Sequence, residues 1–239
     1  MVEDSIKIIN GNYSKDGFTI IETEKIKENV SFINYEFKQF ERYFTQDKIK
    51  NRNILKRFSD SFKVNHFFSS KSLNKILKQH FNFKTPVFCG PVFSHYTAND
   101  KTGEGYGLPY HQDWPSMASS KESLIIWFSL KDCNQASHSV AVLKGLHKKG
   151  LLPGKQSEHG YEININEDFM NKEEILNIKA GQILFMSSFL PHKTFVNPNA
   201  TIPKMSLSRR IDDFSSEEWR ERNYVNAYQH NVDRTLFLT

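Results

Sequence analysis

The second half of the chain alternates short apolar segments with turn-forming residues. This pattern constrains the fold more than any other feature of the sequence. The predicted strands cover residues 86–96, 108–114, 124–130, 139–143, 161–165, 174–178, 182–186 and 204–211. Turn signals such as Pro153-Gly154 and Ala180-Gly181 separate most of them. Eight short strands without a helical pattern between them predict an antiparallel sandwich or jelly roll.

The N-terminal part has a different periodicity. Its predicted elements are a short strand and two helices with apolar side chains three or four positions apart, at residues 17–21, 24–44 and 69–81. Ser70 is the expected N-cap of the second helix. The predicted fold is therefore mainly β with flanking helices. We expect a single domain made of a mostly helical part, a barrel core, and a C-terminal helix and tail, at residues 1–85, 86–214 and 215–239.

Composition bears on where such a protein works. Of the 239 residues, 38% are hydrophobic, which is ordinary for a folded chain. No apolar run approaches the roughly 18 residues of a membrane span, and the N-terminus lacks the basic and apolar regions of a secretory signal. Cys89 and Cys133 do not suggest a disulfide framework. We therefore expect a cytoplasmic protein without a membrane partner.

The formal net charge of +5 raises the question of an anionic partner. The lysines are dispersed, with a modest basic concentration over residues 48–57, and aromatic residues do not alternate with basic ones. These observations favour a solvated lysine-rich surface. We expect a small-molecule partner and no nucleic-acid partner, and the sequence indicates no particular oligomeric state.

A histidine and an aspartate two positions apart form the main candidate site. On an extended strand, His111 and Asp113 project from the same face and Gln112 from the other. A second histidine would complete the triad of two imidazoles and one carboxylate that leaves half of an octahedral iron site open. His192 is the candidate, because it follows an apolar run and the bend at Pro191, where a strand would end at the barrel mouth and face His111 across the barrel.

The remaining histidines lack a ligand-like neighbourhood: His66, His80, His95, His138, His147, His159 and His230. Of these, His147 is expected to face solvent because two lysines follow it. The H-x-D spacing alone is common by chance. The surrounding β-rich sequence and the downstream His192 make a metal site a stronger interpretation of this spacing.

Several ordered segments resemble the phytanoyl-CoA dioxygenase family. They are residues 111–114, 124–130, 142–148, 181–185 and 192–194. The resemblance covers roughly residues 86–214, with a looser match at 16–18. That family comprises iron(II)/2-oxoglutarate oxygenases on a double-stranded β-helix, a cupin-like jelly roll. The resemblance implies that His111, Asp113 and His192 bind iron.

The resemblance also implies a 2-oxoglutarate site. Thr194, two residues after the second histidine, would bond the outer carboxylate, and Trp127 would line the same pocket. Family members usually carry an arginine after the second histidine, whereas this chain has Lys204, one residue later than expected. A lysine supplies charge as a point donor and not as a bidentate fork.

The alternation of side chains along a strand indicates a second positively charged residue that could bind the outer carboxylate of 2-oxoglutarate. Lys204, Ser206, Ser208 and Arg210 would share one face of the last predicted strand, with Arg209 on the other. We expect Lys204 to anchor 2-oxoglutarate, Arg210 to be the second candidate, and Ser206 to be a further contact.

The implied reaction is hydroxylation of a small organic substrate with release of succinate and carbon dioxide. It would use iron(II), 2-oxoglutarate and O2, with ascorbate as a supporting reductant. Related halogenases replace the carboxylate ligand by a small residue, so Asp113 favours hydroxylation. Two alternatives stay open: a zinc- or manganese-dependent hydrolase or isomerase on a cupin-like barrel, and a catalytically silent barrel that binds a ligand.

The substrate itself does not follow from the sequence. The segments expected to shape specificity are the N-terminal helices and residues 99–107 and 116–123. Glycines at 103, 105 and 107 fit either a mobile lid or a plain surface turn. No acyl-carrier or nucleotide signature occurs, which leaves a small polar metabolite or sugar-like molecule as the working expectation.

Overall fold

The computed structural model describes residues 5–97, 107–117, 119–157 and 160–221. Its strands are β1 (Lys7–Asn10), β2 (Phe18–Glu22), β3 (Pro86–Phe88), β4 (Phe93–Thr97), β5 (His111–Gln112), β6 (Leu124–Ser129), β7 (Ser139–Leu143), β8 (Gly154–Ser157), β9 (Gly160–Ile163), β10 (Glu173–Ile175), β11 (Gln182–Ser187), β12 (His192–Phe195) and β13 (Lys204–Asp213). Its helices are α1 (Tyr13–Asp16), α2 (Glu24–Glu41), α3 (Lys48–Ser59), α4 (Phe62–Phe68), α5 (Lys71–His80), α6 (Trp114–Met117), α7 (Glu167–Met170) and α8 (Glu217–Glu221), with a 3-10 turn at Leu146–Lys149.

The strands form two antiparallel sheets that pack face to face. The larger sheet has the order β1-β2-β11-β6-β13-β3, with β4 also paired to β13, and the smaller has the order β10-β7-β12-β5-β9-β8. A buried apolar cluster lies between them and includes Trp127 of β6, Val142 of β7 and Leu184 of β11. This arrangement confirms the predicted mainly-β architecture with flanking helices.

The N-terminal helices cover the outer face of the larger sheet. α2 buries Ile26, Val30 and Ile33 in a cluster that also contains residues of β6, β11 and β13. α5 begins as predicted at Ser70, whose side chain accepts a hydrogen bond from the Leu73 amide. Each such apolar side chain contributes about 1.5–3 kcal/mol on burial. None of the helices in the described ranges is long and apolar enough to cross a membrane.

The sequence did not predict α3 and α4, nor the four-residue helices α1, α6 and α7. α3 is rich in lysine, arginine and asparagine and buries only Leu55, Phe58 and Ser59. α4 is only seven residues long. Their basic and polar faces lie outward, so the basic concentration at 48–57 belongs to an exposed helix surface.

Several predicted strands have different limits in the structure. Residues 86–96 form two strands, because Gly90 and Pro91 interrupt the extended run and a proline cannot donate to a ladder. Residues 108–114 contain only the short β5, since α6 begins at Trp114. Strands β1, β8 and β12 were not predicted at all. His192 therefore starts a strand, where the sequence had placed it beyond a strand end.

Some expectations fall outside the described residues. They concern most of the glycine-rich segment 99–107, His159, His230 and the tail from residue 222. Within the described part, both cysteines are buried free thiols.

Candidate metal centre and its pocket

His111, Asp113 and His192 converge inside the barrel. His111 and His192 are direct partners in the antiparallel ladder of β5 and β12, so the two imidazoles lie on neighbouring strands and not across the barrel. Asp113 follows β5, and its amide donates to the Ser188 carbonyl at 3.1 Å. One potential ligand atom from each of the three residues lies within 4.8 Å of the other two, and all three residues are buried.

Hydrogen bonds fix which imidazole nitrogen of each histidine is available. His111 Nδ1 donates to the Pro109 carbonyl at 2.8 Å, and His192 Nδ1 donates to the Leu190 carbonyl at 2.9 Å. Nε2 is therefore the nitrogen of each ring that faces the Asp113 carboxylate, with His111 Nε2 at 3.9 Å from Oδ1 and His192 Nε2 at 4.0 Å from Oδ2. Burial, reinforced by the neighbouring His111, lowers the pKa of His192 to about 4. A neutral imidazole with a carbonyl behind Nδ1 is the form that binds metals.

The Asp113 carboxylate has one paired and one unpaired oxygen. Oδ1 accepts a hydrogen bond from Arg210 at 2.9 Å. Oδ2 is buried and has no hydrogen-bond partner among the described residues. Burial disfavours the charged carboxylate, yet Arg210 and the two histidines hold its pKa well below the ordinary range. A buried anionic oxygen without a partner is costly, and a cation held between Oδ2 and the two Nε2 atoms would satisfy it. The nitrogen and oxygen donors fit a non-haem iron(II) triad.

Lys204 supplies a buried cation in the same cavity. It is the first residue of β13, only 4% exposed, and its Nζ donates to the Ser139 carbonyl at 3.2 Å. The ammonium lies 5.8 Å from the centre of the Trp127 ring. Burial lowers the pKa of Lys204 to about 8, so the side chain is mostly protonated at neutral pH. A buried ammonium with so few hydrogen bonds is well suited to receive a carboxylate.

The other residues predicted for 2-oxoglutarate separate into two groups. Thr194 and Trp127 line the cavity together with Lys204 and the triad. The Thr194 hydroxyl oxygen accepts a hydrogen bond from the Leu108 amide at 3.1 Å, which leaves its hydrogen to be donated elsewhere. Ser206 is not among the cavity-lining residues, and its hydroxyl is directed at the His95 carbonyl. Arg210 lies at the metal-binding end, on Asp113.

His95 is a cavity residue that the sequence did not identify. It lies on β4 opposite Ser206 and lines the cavity, with Nε2 at 3.2 Å from the Ser208 hydroxyl. Burial and the nearby Arg210 lower its pKa to about 3, so the ring is neutral. Only the pairing of β4 with β13 brings it to the site, and a single histidine in an apolar strand carries no signal of that pairing.

The expectation for His147 was wrong. Its imidazole is half-buried against Gly17 at the end of α1, and its Nδ1 is fully enclosed. The neighbouring Lys148 and Lys149 remain exposed, because the 3-10 turn points successive side chains in different directions.

The cavity around the triad is small, and a larger groove shares none of its described lining residues. The triad cavity has a volume of about 40 Å³, whereas the groove measures about 860 Å³ and is lined in part by Trp114 and Phe189. These two rings stack at a centroid distance of 5.1 Å. Trp114 directly follows Asp113 in the chain, whereas Gly150 and Phe189 of the groove contact Gln112, whose side chain points away from the triad.

Three solved structures share this fold. The epimerase SnoN, solved with Fe3+, alpha-ketoglutarate and nogalamycin RO, has a TM-score of 0.64 at 12% identity and covers 84% of this chain and 80% of its own. EvdO2 from Micromonospora carbonacea var. aurantiaca, solved with 2-oxoglutarate, has a TM-score of 0.60 at 12% identity, covering 89% and 96%. EctD from S. alaskensis, solved with 2-oxoglutarate and 5-hydroxyectoine, has a TM-score of 0.57 at 9% identity, covering 85% and 74%. The predicted jelly-roll core is confirmed by these likenesses.

Comparison at the level of sequence gives the family. No curated protein matches the chain. The phytanoyl-CoA dioxygenase (PhyH) family profile, in contrast, matches residues 15–205, which is most of its length and includes all three residues of the candidate triad. The match begins earlier and ends earlier than the resemblance seen in the sequence motifs. The chain belongs to the phytanoyl-CoA dioxygenase family.

Proposed function

We propose that this protein is an iron(II)- and 2-oxoglutarate-dependent dioxygenase that hydroxylates a small organic molecule and releases succinate and carbon dioxide. The observation that carries the proposal is the buried triad, in which His111 Nε2 lies 3.9 Å from Oδ1 of Asp113 and His192 Nε2 lies 4.0 Å from its unpaired Oδ2. Family membership supports it, as do the iron and 2-oxoglutarate named with similar folds.

In this proposal His111, Asp113 and His192 hold the iron, and each residue contributes one atom. The carbonyls behind the two Nδ1 atoms keep the imidazoles in the metal-binding tautomer and orientation. The bound iron, with 2-oxoglutarate and O2, supplies the oxidising chemistry. The apolar cluster behind the triad keeps water away from the reacting centre.

Lys204 is the proposed anchor for the outer carboxylate of 2-oxoglutarate. It is buried, charged at neutral pH and on the cavity wall with Thr194 and Trp127. The Thr194 hydroxyl can donate to the same carboxylate. Arg210 is already engaged with Asp113, which favours Lys204 over Arg210 for this role.

Hydroxylation is the favoured outcome among those open to such a site. Because Asp113 occupies the carboxylate position, no place is left for a halide ligand of the kind that halogenases bind there. A zinc- or manganese-dependent hydrolase would have no use for a buried lysine in the cavity, and a silent barrel would have no use for an unpaired buried carboxylate oxygen.

The test is an anaerobic titration followed by a turnover assay. Addition of iron(II) and then 2-oxoglutarate to the purified protein should give the weak visible charge-transfer band of the chelated co-substrate. With O2, ascorbate and candidate substrates, succinate should form, and His111→Ala should abolish both signals. Absence of the band in the wild-type protein, or hydrolysis supported equally by zinc, would contradict the proposal.

A further inference from the structure

We propose that Arg210 is a positioning residue for the metal centre, which holds Oδ1 of Asp113 so that the carboxylate offers a metal only Oδ2. The inference rests on the proposed function, because it assumes that the triad binds a metal. It gives the second arginine of the predicted strand a role different from binding 2-oxoglutarate.

The contact between the two side chains is short and buried. Arg210 NH2 lies 2.9 Å from Asp113 Oδ1, with both residues less than a tenth exposed. The other oxygen, Oδ2, has no hydrogen-bond partner in the described part of the chain and lies 4.0 Å from His192 Nε2. Oδ1 is therefore committed to the guanidinium, at 3.9 Å from His111 Nε2, and Oδ2 is the oxygen without a partner that faces His192.

The guanidinium is itself held on two further sides. Arg210 NH1 donates to the Ser208 hydroxyl at 3.1 Å, and that hydroxyl in turn contacts His95 Nε2 at 3.2 Å. The ring of Phe93 lies 4.2 Å from the guanidinium carbon. Because the donors of a guanidinium are fixed in one plane, these contacts set the direction of the NH2 group that meets Asp113.

A carboxylate restricted to one oxygen matters for the chemistry of the site. Three protein ligands leave three positions of an octahedral ion free. When bound, 2-oxoglutarate would need two of these positions and O2 would need the third. A carboxylate that bound through both oxygens would occupy one of these positions. The hydrogen bond from Arg210 to Oδ1 disfavours this.

The position of Arg210 along the strand separates it from the 2-oxoglutarate anchor. Lys204 and Arg210 lie on the same face of β13 but six residues apart, which corresponds to about 20 Å along an extended strand. Lys204 lies at the Ser139 and Trp127 end of the cavity, whereas Arg210 lies at Asp113. The two cations therefore serve opposite ends of the site.

The experiment measures metal affinity without turnover. Iron(II) and cobalt(II) are titrated anaerobically into wild-type protein, Arg210→Met and Arg210→Lys, with Arg209→Met as the matched control. Arg209 is the preceding residue of the same strand but projects from the other face, where it stacks on Phe88 of β3 and donates to the Asn65 side chain of α4 at 3.1 Å. We expect Arg210→Met to bind metal about 10–100-fold more weakly, Arg210→Lys to be intermediate, and Arg209→Met to match wild type.

A second readout separates positioning from general destabilisation. At metal saturation, the charge-transfer band with 2-oxoglutarate should need more co-substrate in Arg210→Met, because a freed carboxylate oxygen competes for a coordination position. Circular dichroism checks that each variant is folded. If Arg210→Met does not fold, Arg210→Lys and Ser208→Ala take its place, and both should bind metal more weakly than Arg209→Met.

The two failures are distinguishable. Wild-type affinity for metal and 2-oxoglutarate in the folded Arg210 variants would overturn the positioning role and leave the proposed function intact. A wild-type protein that binds neither iron(II) nor cobalt(II) would overturn the proposed function itself.

Discussion

At the residue scale, Lys204 is a side chain that folding alone does not explain. A buried ammonium is disfavoured, as the lowering of its pKa to about 8 indicates. In the structure it gains one hydrogen bond to the Ser139 carbonyl and the face of Trp127. Residues that cost stability in this way are concentrated at functional sites. The burial of Lys204 thus supports the proposal that it receives a carboxylate.

The same property predicts how 2-oxoglutarate binding depends on pH. Because the pKa of Lys204 is lowered to about 8, the free side chain loses its charge as pH rises through that value. We expect the affinity for 2-oxoglutarate to be constant below pH 8 and to fall by up to about tenfold per pH unit above it. Anaerobic titration of cobalt(II)-loaded protein between pH 7 and 9.5 measures this. Lys204→Arg should remove the dependence, because a guanidinium stays charged, and an unchanged slope would assign the titration to another group.

The sequence identified the residue types of the site. It did not show which partner Lys204 and Arg210 each contact. Spacing on one strand placed His111 with Asp113, and a shared face placed Lys204 with Arg210. Which cation serves which end depends on distances between strands, and these are not encoded in local periodicity. His95 was missed for the same reason.

At the element scale, β5 is the shortest of the strands that carry the candidate triad, and few ladder pairs hold it in place. It contains only two residues, and a single ladder pair joins it to β12. Gln112, on the face opposite the triad, compensates with three hydrogen bonds. Its amide donates to the carbonyls of Gly150 and Phe189 at 2.9 and 2.6 Å, and its oxygen accepts from the Leu152 amide at 2.8 Å. These bonds fasten the strand that carries His111.

Gln112→Ala should therefore weaken both the fold and the metal site. Two buried backbone groups and one half-buried carbonyl would lose their partner, which predicts a loss of about 2–4 kcal/mol in the free energy of unfolding. The metal affinity should fall because His111 is no longer held in register with His192. Urea denaturation and metal titration measure the two effects. Gln156→Ala, at an exposed position of β8, is the control, and a loss no larger than in that variant would contradict the role given to Gln112.

Elements with long apolar runs could be predicted and short ones could not. β6, β7 and β11 were found almost to the residue because both of their faces are buried. The four residues of β12 are histidine, lysine, threonine and phenylalanine. Neither face of the strand is apolar throughout, so its sequence did not predict a strand. The strand that carries His192, a proposed metal ligand, thus lacked the hydrophobic signal used to find strands.

At the scale of the whole molecule, the N-terminal segment belongs to the barrel as well as to the helical layer. β2 lies between β1 and β11 and extends the larger sheet, and α2 then covers that sheet from outside. The sequence analysis assigned these residues to a part outside the core. It could not show that Phe18 pairs with Met186, because the two residues lie far apart in the chain. The helices and the larger sheet thus share one hydrophobic cluster. The smaller sheet carries the two histidines.

A bound metal should consequently stabilise the whole molecule. The ion would join β5, β12 and the Asp113 turn, none of which is held together in the unfolded chain. Binding to the native state alone adds about 2.7 kcal/mol at a free metal concentration of 100 times Kd. For a chain of this size, we expect this to raise Tm by about 5–10 °C. Thermal unfolding followed by circular dichroism, with cobalt(II) and then with excess chelator, measures the difference. The His111→Ala variant should show no shift, and an equal shift in that variant would mean that the metal binds elsewhere.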